Sequence, residues 1–278
     1  MREDPRAPRA PTTTATEMPR KRNADEMRLY GLNACLALFA KRPHDLRKVY
    51  LLESRLGDLK AVLAWCVQKK LGYRVVQTSD LDKLTGTPHH EGVCFDVRRL
   101  APVSLSTLLQ MVPRPPQPCL LLWLDGVGNP HNVGAVLRSA ANFGVHGVLM
   151  PTESIVGLSG SAYRVAEGGA ESVALAQFSP GEDVLGALRN FEFQVAATVV
   201  REGESLYAAR LPKRIVFVLG TESVGLRSNL IARADLHITI PGTGAVESLN
   251  VAASAAVLLG EYYRQRQVEN APRPSRGR

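Results

Sequence analysis

The sequence lacks the features that would point to a membrane or an extracellular location. Among its 278 residues no apolar run reaches membrane-spanning length, and the N-terminal segment contains no apolar core of the signal-peptide kind. Cysteine is scarce, and no two cysteines form a C-x-x-C pair: Cys35, Cys66, Cys94, Cys119. We therefore expect reduced, mostly buried thiols, no metal site, and a soluble cytoplasmic protein.

Two common nucleotide-binding motifs are also missing. The phosphate-binding sequence G-x-x-x-x-G-K-[ST] does not occur, which argues against ATP chemistry of the phosphate-loop type. Gly242-Thr243-Gly244 follows a predicted strand, but Glu247 and Ser248 occupy the position where a dinucleotide-binding loop has its third glycine. We therefore expect no nicotinamide cofactor.

Positive charge is unevenly distributed along the chain. The formal net charge is +8 overall. Residues 26–99 carry thirteen basic and eight acidic groups, net +5, whereas residues 100–263 carry ten and thirteen, net −3. A polyanion such as RNA is a natural partner for the basic first part and the basic tails. The alternative, a solvated basic surface that only keeps the protein soluble, stays open on charge alone.

Changes in composition divide the chain into five segments. Residues 1–25 form a basic tail rich in Pro, Arg and Thr that we expect to be disordered. Residues 26–99 alternate predicted helices and strands, which indicates a small α/β domain. Residues 100–118 end in a proline cluster and are predicted to be a semi-rigid linker. A larger domain follows at residues 119–267, and residues 268–278 form a second basic tail.

The larger domain is predicted to be α/β, with a mostly parallel sheet covered by helices on both faces. The predicted strand over residues 119–127 begins with the continuously apolar run 119–124, as expected of a strand buried on both faces, and helix and strand patterns alternate after it. Ligands of such sheets bind beyond the carboxyl ends of the strands. The polar loops 125–132, 220–225 and 241–250 are predicted to meet there.

The last predicted helix, over residues 249–263, is apolar nearly all round. A helix without a polar face must be buried, and its apolar surface exceeds what one sheet face covers, so we expect a homodimer built partly on it. Ser248 is predicted to cap this helix, whose polar start could form the floor of a site. A core helix with an ordinary polar cap is the plain alternative.

Individual polar residues in these loops have two interpretations each. Asn132 is well placed to cap a helix after Pro130, and Arg138 could hold a phosphate through its planar fork or simply form a surface ion pair. Glu222 directly follows a buried strand, where a carboxylate is favourable without being catalytic. His131, beside a proline turn, is predicted to be a structural donor rather than a base.

Three ordered motifs resemble those of the SpoU/TrmH family, which are SPOUT-class RNA ribose 2'-O-methyltransferases. They are N-P-H-N-V-G-A-V-L-R-S-A-A-N-F-G (129–144), L-G-T-E-S-V-G-L (219–226) and I-P-G-T-G-A-V-E-S-L-N-V-A (240–252). Y-G-L-N-A-C and K-L-T-G-T-P-H-H-E-G-V-C-F are similar to the family's L30-like substrate-binding domain. The resemblance implies a trefoil-knotted catalytic domain, a homodimer, S-adenosyl-L-methionine as methyl donor, and rRNA or tRNA as substrate.

The resemblance also implies roles for individual residues. Asn132 and Arg138 match the polar pair of the first motif, with Arg138 in the catalytic role. Glu222 matches the acid of the second motif, and Ser248 and Asn250 match the pair of the third. The residues implied to contact the donor are Thr198, Leu219, Gly220, Glu222, Ile240 and Leu249.

Two functions remain open at this point. The first is methyl transfer, in which Arg138 grips a phosphate and stabilises the developing oxyanion, since a guanidinium that stays protonated is unsuited to act as a base. The second is a catalytically weak RNA-binding factor of ribosome assembly with the same fold. The presence of Arg138, Glu222, Ser248 and Asn250 together argues against the second.

Overall fold

The computed structural model describes residues 25–221 and 225–270. Nearly all of the predicted N-terminal tail, most of the predicted C-terminal tail and Glu222 therefore lie outside the described residues. In the part that is described, no helix combines the length and apolarity that a bilayer crossing requires.

The N-terminal part is a small α/β domain with a four-stranded sheet in the order β1-β4-β2-β3. Strands β2 and β3 are parallel, and β4 runs antiparallel to both of its neighbours. The strand β1 is absent from the sequence-based prediction, because its five residues adjoin the charged tail. The elements are β1 (Glu26–Tyr30), α1 (Leu32–Lys41), β2 (Leu46–Leu51), α2 (Lys60–Lys69), β3 (Gly72–Val75), α3 (Thr78–Thr85) and β4 (Val93–Arg98).

The C-terminal part contains an eight-stranded sheet in the order β10-β12-β9-β11-β6-β7-β8-β5, and every pairing in it is parallel. The predicted fold class is confirmed. The elements are β5 (Val103–Ser104), α4 (Leu105–Met111), β6 (Cys119–Leu124), α5 (Pro130–Asn142), β7 (Gly147–Pro151), α6 (Gly160–Ala166), β8 (Ala174–Phe178), α7 (Val184–Asn190), β9 (Gln194–Thr198), β10 (Glu204–Ser205), β11 (Arg214–Leu219), α8 (Ser228–Arg233), β12 (Leu236–Thr239) and α9 (Val251–Asn270).

Two apolar cores lie on the two faces of this sheet. The central strands β6 and β11 are buried at every residue, which explains their unbroken apolar sequences. Leu120, Leu122 and Leu124 of β6 belong to the core beneath α5 and α9, whereas Leu121 and Trp123 belong to the core with α4, α7 and α8. The first core is continuous with that of the N-terminal domain, so the two domains share one apolar cluster.

The segment 100–118 is not a linker along its whole length, which corrects the sequence-based prediction. β5 pairs with β8 and forms one edge of the sheet, and α4 buries Leu105, Leu108 and Leu109 in the second core. The Ser104 hydroxyl accepts a hydrogen bond from the Thr107 backbone N–H at 3.1 Å and caps α4. The proline cluster at the end of the segment obscures this short helical pattern, and within the segment only residues 100–102 and 112–118 have no regular structure.

Candidate functional site

A cavity of about 310 Å³ lies beyond the carboxyl ends of β9, β11 and β12. These three strands are neighbours in the sheet, so the loops that follow them converge at one edge. All five described residues that the resemblance assigns to the donor line this cavity: Thr198, Leu219, Gly220, Ile240, Leu249. Glu222 falls outside the described residues.

The cavity has further lining residues that the resemblance does not assign to the donor. Most directly follow the carboxyl end of a parallel strand or begin α9, and that position is the signal by which they could have been found. They provide apolar walls together with one carboxylate and two hydroxyl groups. These additional lining residues are Val199, Val200, Thr221, Gly225, Leu226, Ile238, Glu247, Val251 and Ser254, with Ser248 beside them.

A close backbone approach shapes the wall of the cavity after β11. Thr221 and Gly225 exchange backbone hydrogen bonds of 3.3 and 2.9 Å, which closes the loop tightly. A Cβ atom on Gly220 would lie 2.3 Å from the carbonyl carbon of Gly225, so only glycine fits there. Opposite this wall, the Thr198 hydroxyl donates to the Val218 carbonyl at 2.7 Å and ties the end of β9 to β11.

Asn250, not Ser248, caps the helix α9. The Asn250 Oδ1 atom accepts a hydrogen bond from the Ala252 backbone N–H at 2.9 Å, and the helix begins at Val251. Ser248 instead lines the cavity just before the helix. The predicted cap was displaced by two residues because Ser and Asn are both good caps and the sequence alone does not rank them.

Asn132 does not cap α5 either, but it connects two of the three motifs. The Asn129 side chain accepts from the His131 backbone N–H at 2.9 Å and caps the helix, with Pro130 in its first turn. Asn132 then presents its Oδ1 atom to the Asn250 Nδ2 group at 3.1 Å. The amides of the first and third motifs are therefore in direct contact, although 118 residues separate them.

A buried carboxylate holds the loop after β6 in place. Asp125 is only 6% exposed, and its two oxygens accept hydrogen bonds of 2.7 and 3.1 Å from the guanidinium of Arg227. Such a bidentate pair fixes both distance and orientation. The pair joins the loop after β6, which leads to Asn132, to Arg227, the residue after the cavity-lining Leu226. No sequence motif indicated this connection.

Arg138 lies away from the cavity of its own chain. Its side chain is 59% exposed on α5, and its Nη1 group contacts the Glu167 Oε1 atom at 2.9 Å. The predicted alternative, a surface ion pair, is thus present. Arg138 is six residues beyond Asn132 on the same helix, which is about 9 Å along the axis. Among the described residues, the chain by itself does not bring Arg138 to the cavity edge.

Comparison with known proteins identifies the family. Residues 119–260 match the SpoU rRNA Methylase family, and residues 28–103 match the RNA 2'-O ribose methyltransferase substrate-binding domain. The chain belongs to the SpoU rRNA methylase family. This membership confirms the family and the reaction class that the three motifs implied, the methylation of RNA on ribose.

Individual relatives cover most of the chain. An uncharacterised tRNA/rRNA methyltransferase of Escherichia coli O157:H7 is 37% identical over 90% of this chain and 71% of its own length. The 23S rRNA (guanosine-2'-O-)-methyltransferase of Nitrosomonas europaea is 33% identical, with 85% of this chain and 91% of that protein covered.

Solved structures show the same fold. An RNA 2'-O ribose methyltransferase superposes with a TM-score of 0.71 at 25% identity, over 87% of this chain and 90% of that chain. The AdoMet-bound rRNA methyltransferase of Sinorhizobium meliloti superposes with a TM-score of 0.70 at 22% identity, over 86% and 87% of the two chains.

Proposed function

We propose that this chain transfers the methyl group of S-adenosylmethionine to a ribose 2'-hydroxyl of ribosomal RNA. The observation that carries the proposal is the single cavity lined by all five described donor residues, in a chain of the SpoU family. Ribosomal RNA is preferred over transfer RNA because relatives that match nearly from end to end are named for 23S rRNA. This substrate favours a cytoplasmic location.

The lining of the cavity fits the proposed donor. S-adenosylmethionine supplies, when bound, a methyl group activated by a positively charged sulfur. Leu219, Ile238 and Ile240 offer apolar surface to its adenine ring, and the exposed backbone near Gly220 offers hydrogen-bonding groups. The Glu247 carboxylate adds negative charge to a site that has to hold a cation.

The polar residues of the motifs are assigned to the RNA. A ribose hydroxyl is a weak acid, so positioning and stabilisation of the developing oxyanion are what the protein can contribute. We assign the contacting pair Asn132 and Asn250, with Ser248 and Glu222, to orienting the ribose. Arg138 grips the adjacent phosphate through its planar fork, and the proton leaves to phosphate or water.

A second copy of the chain completes this arrangement in our proposal. The apolar side chains of α9 are only partly covered, since Ala253 and Tyr263 are exposed and Ala256 and Val257 are half-buried. These residues lie on one face of α9. The helix α9 as a whole packs against α5. We infer a homodimer through this face, which brings Arg138 to a donor cavity that it does not reach within one protomer.

Dimerisation is tested by placing a charge on this face. Ala256→Arg should convert a dimer into a monomer and abolish methyl transfer, because a buried unpaired charge is strongly unfavourable at an apolar interface. Met111→Arg is the control, since it places the same charge on an apolar surface residue that lies on α4 and not on this face. Light scattering at micromolar concentration measures the oligomeric state of both variants and of the wild type. A monomeric wild type would refute the dimer.

The activity is tested in two steps on the full-length protein. Calorimetric titration with S-adenosylmethionine should show saturable binding, whereas a pure RNA-binding assembly factor would show little. Transfer of a labelled methyl group is then measured on unmodified ribosomal RNA and on unmodified tRNA. Label on the ribose of rRNA supports the proposal, label on tRNA alone corrects the substrate, and donor binding without label on either refutes the methyl transfer.

A further inference from the structure

Helix α6 lies between the two domains and packs closely against both. A Cβ atom on Gly160, at the start of α6, would lie 2.4 Å from the Arg28 carbonyl oxygen of the N-terminal domain. On the opposite side, a Cβ atom on Gly134 of α5 would lie 2.4 Å from the Ala162 carbonyl oxygen. Contacts this close leave α6 no room to slide against the N-terminal domain or against α5.

Ion pairs in the last turn of α6 and just after the helix reinforce this packing. Arg42 of the N-terminal domain binds both carboxylate oxygens of Glu171, each at 2.8 Å, and Glu171 is almost completely buried. Burial alone would lower the pKa of Arg42, but the hydrogen bonds to Glu171 and Asp45 outweigh it and raise the pKa. Arg164 lies 3.7 Å from Glu91, whose other oxygen accepts from the Leu32 backbone N–H.

Glu167, which ends α6, contacts both domains at once. Its Oε1 atom accepts from the Arg138 guanidinium at 2.9 Å, and its Oε2 atom accepts from the Asn33 side-chain amide at 3.3 Å. Glu167 adopts a left-handed backbone conformation, with φ at 46°. Because non-glycine residues rarely adopt this conformation, the surrounding packing has to hold it in place.

We propose that Glu167 is a positioning residue for Arg138 and that it couples Arg138 to the N-terminal domain through Asn33. This inference rests on the proposed function, in which Arg138 acts on the RNA. Glu167 engages only the Nη1 group, so it directs the guanidinium while the remaining N–H groups stay available to a phosphate oxygen. The N-terminal domain therefore has two roles: it holds the RNA, and it helps to set the direction of the Arg138 side chain that acts on that RNA.

The test is the rate of single-turnover methyl transfer in full-length variants. Glu167→Gln keeps the shape but removes the charge, and we expect a rate three- to fivefold lower, about what an exposed ion pair supports. Donor affinity, RNA affinity and melting temperature should stay at wild-type values. Asn33→Ala should lower the rate less, and the double variant should be no slower than Glu167→Gln, because both changes act through one carboxylate.

Two further variants decide whether the effect passes through Arg138. In an Arg138→Ala background, Glu167→Gln should cause no additional loss. Glu192→Gln is the matched control, since Glu192 also has a left-handed backbone, with φ at 60°, but lies in the connection between α7 and β9. It should leave the rate unchanged.

Each remaining outcome has a defined meaning. A wild-type rate in Glu167→Gln, or a loss that persists without Arg138, overturns this inference and leaves the proposed function intact. A loss accompanied by a lower melting temperature would make Glu167 a structural residue and would also overturn it. If Arg138→Ala itself retained full activity, the catalytic assignment in the proposed function would fail instead.

Discussion

The donor cavity and the Arg138 region are built in opposite ways. The cavity is lined by backbone, apolar and a few polar side chains at the ends of three neighbouring parallel strands and at the start of α9, within one chain. Arg138 is a charged and largely exposed side chain whose one described partner, Glu167, lies at the domain boundary. The described lining of the first region comes from one protomer, whereas the direction of the Arg138 side chain depends on how the two domains are placed.

This difference teaches which properties should be separable. A site fixed by strand ends and a tight glycine contact is held by the fold, so donor binding should be insensitive to distant changes. A long exposed side chain takes its direction from its ion-pair partners, so the reaction rate should respond to changes at the domain boundary. The predictions below test this separation.

The largest effect is expected for the Arg138 side chain. Arg138→Ala should lower single-turnover methyl transfer by roughly two to three orders of magnitude, the range for losing a group that stabilises developing charge. Donor affinity should stay within a few-fold, because Arg138 does not line the cavity. Arg138→Lys should restore little, since it keeps the charge but loses the bidentate fork.

The opposite pattern would remove the distinction between the two regions. If Arg138 were purely structural, Ala would lower melting temperature and donor affinity together, and Lys would recover much of the loss. Near-normal turnover in Arg138→Ala would refute its catalytic assignment.

Much of the fold and of the donor site could be predicted from the sequence, for identifiable physical reasons. Unbroken apolar runs such as residues 119–124 mark strands buried on both faces, and parallel strands place their polar loops at one edge. That rule, with the motifs, led to Gly220 and Leu249 in one cavity. The trefoil knot stays a prediction from the resemblance.

Contacts between distant parts of the chain could not be predicted from the sequence. The Arg42–Glu171 pair spans 129 residues and the Asn33–Glu167 pair spans 134, and no local sequence pattern predicts either contact. The caps were misassigned for a related reason, because Asn129 and Asn132 are both good caps and only packing decides between them.

The donor cavity is tested by filling the close approach after β11. Gly220→Ala should weaken donor binding by at least about tenfold, since its methyl group would collide with the Gly225 backbone and overpacking of this kind costs about 1–3 kcal/mol. Gly57→Ala is the control, because a Cβ atom there meets nothing within 4 Å. Calorimetric titration with S-adenosylmethionine measures both, and equal affinities would show that this wall does not contact the donor.

The smallest effect concerns the basic surface of the N-terminal domain, a third region that sharpens the comparison. On the edge strand β3, Arg74 is exposed opposite Tyr50, and Lys48 lies diagonally across on the same face, 5.2 Å over the Tyr50 ring. Two basic groups beside an aromatic ring on an open sheet edge suit a phosphate backbone. We expect this edge to bind the RNA without taking part in the reaction.

Arg74→Ala should therefore lower RNA affinity several-fold and reduce the slope of log affinity against log salt by about 0.7–0.9, the value for one phosphate contact. Lys48→Ala in addition should reduce the slope by a similar amount again. Arg210→Ala removes the same charge from an exposed position of the C-terminal domain and should leave the slope unchanged. The measurements need the full chain, because the two domains share one apolar cluster and truncation would expose it. An equal loss of slope in Arg74→Ala and Arg210→Ala would mean that net charge, and not this edge, draws the RNA.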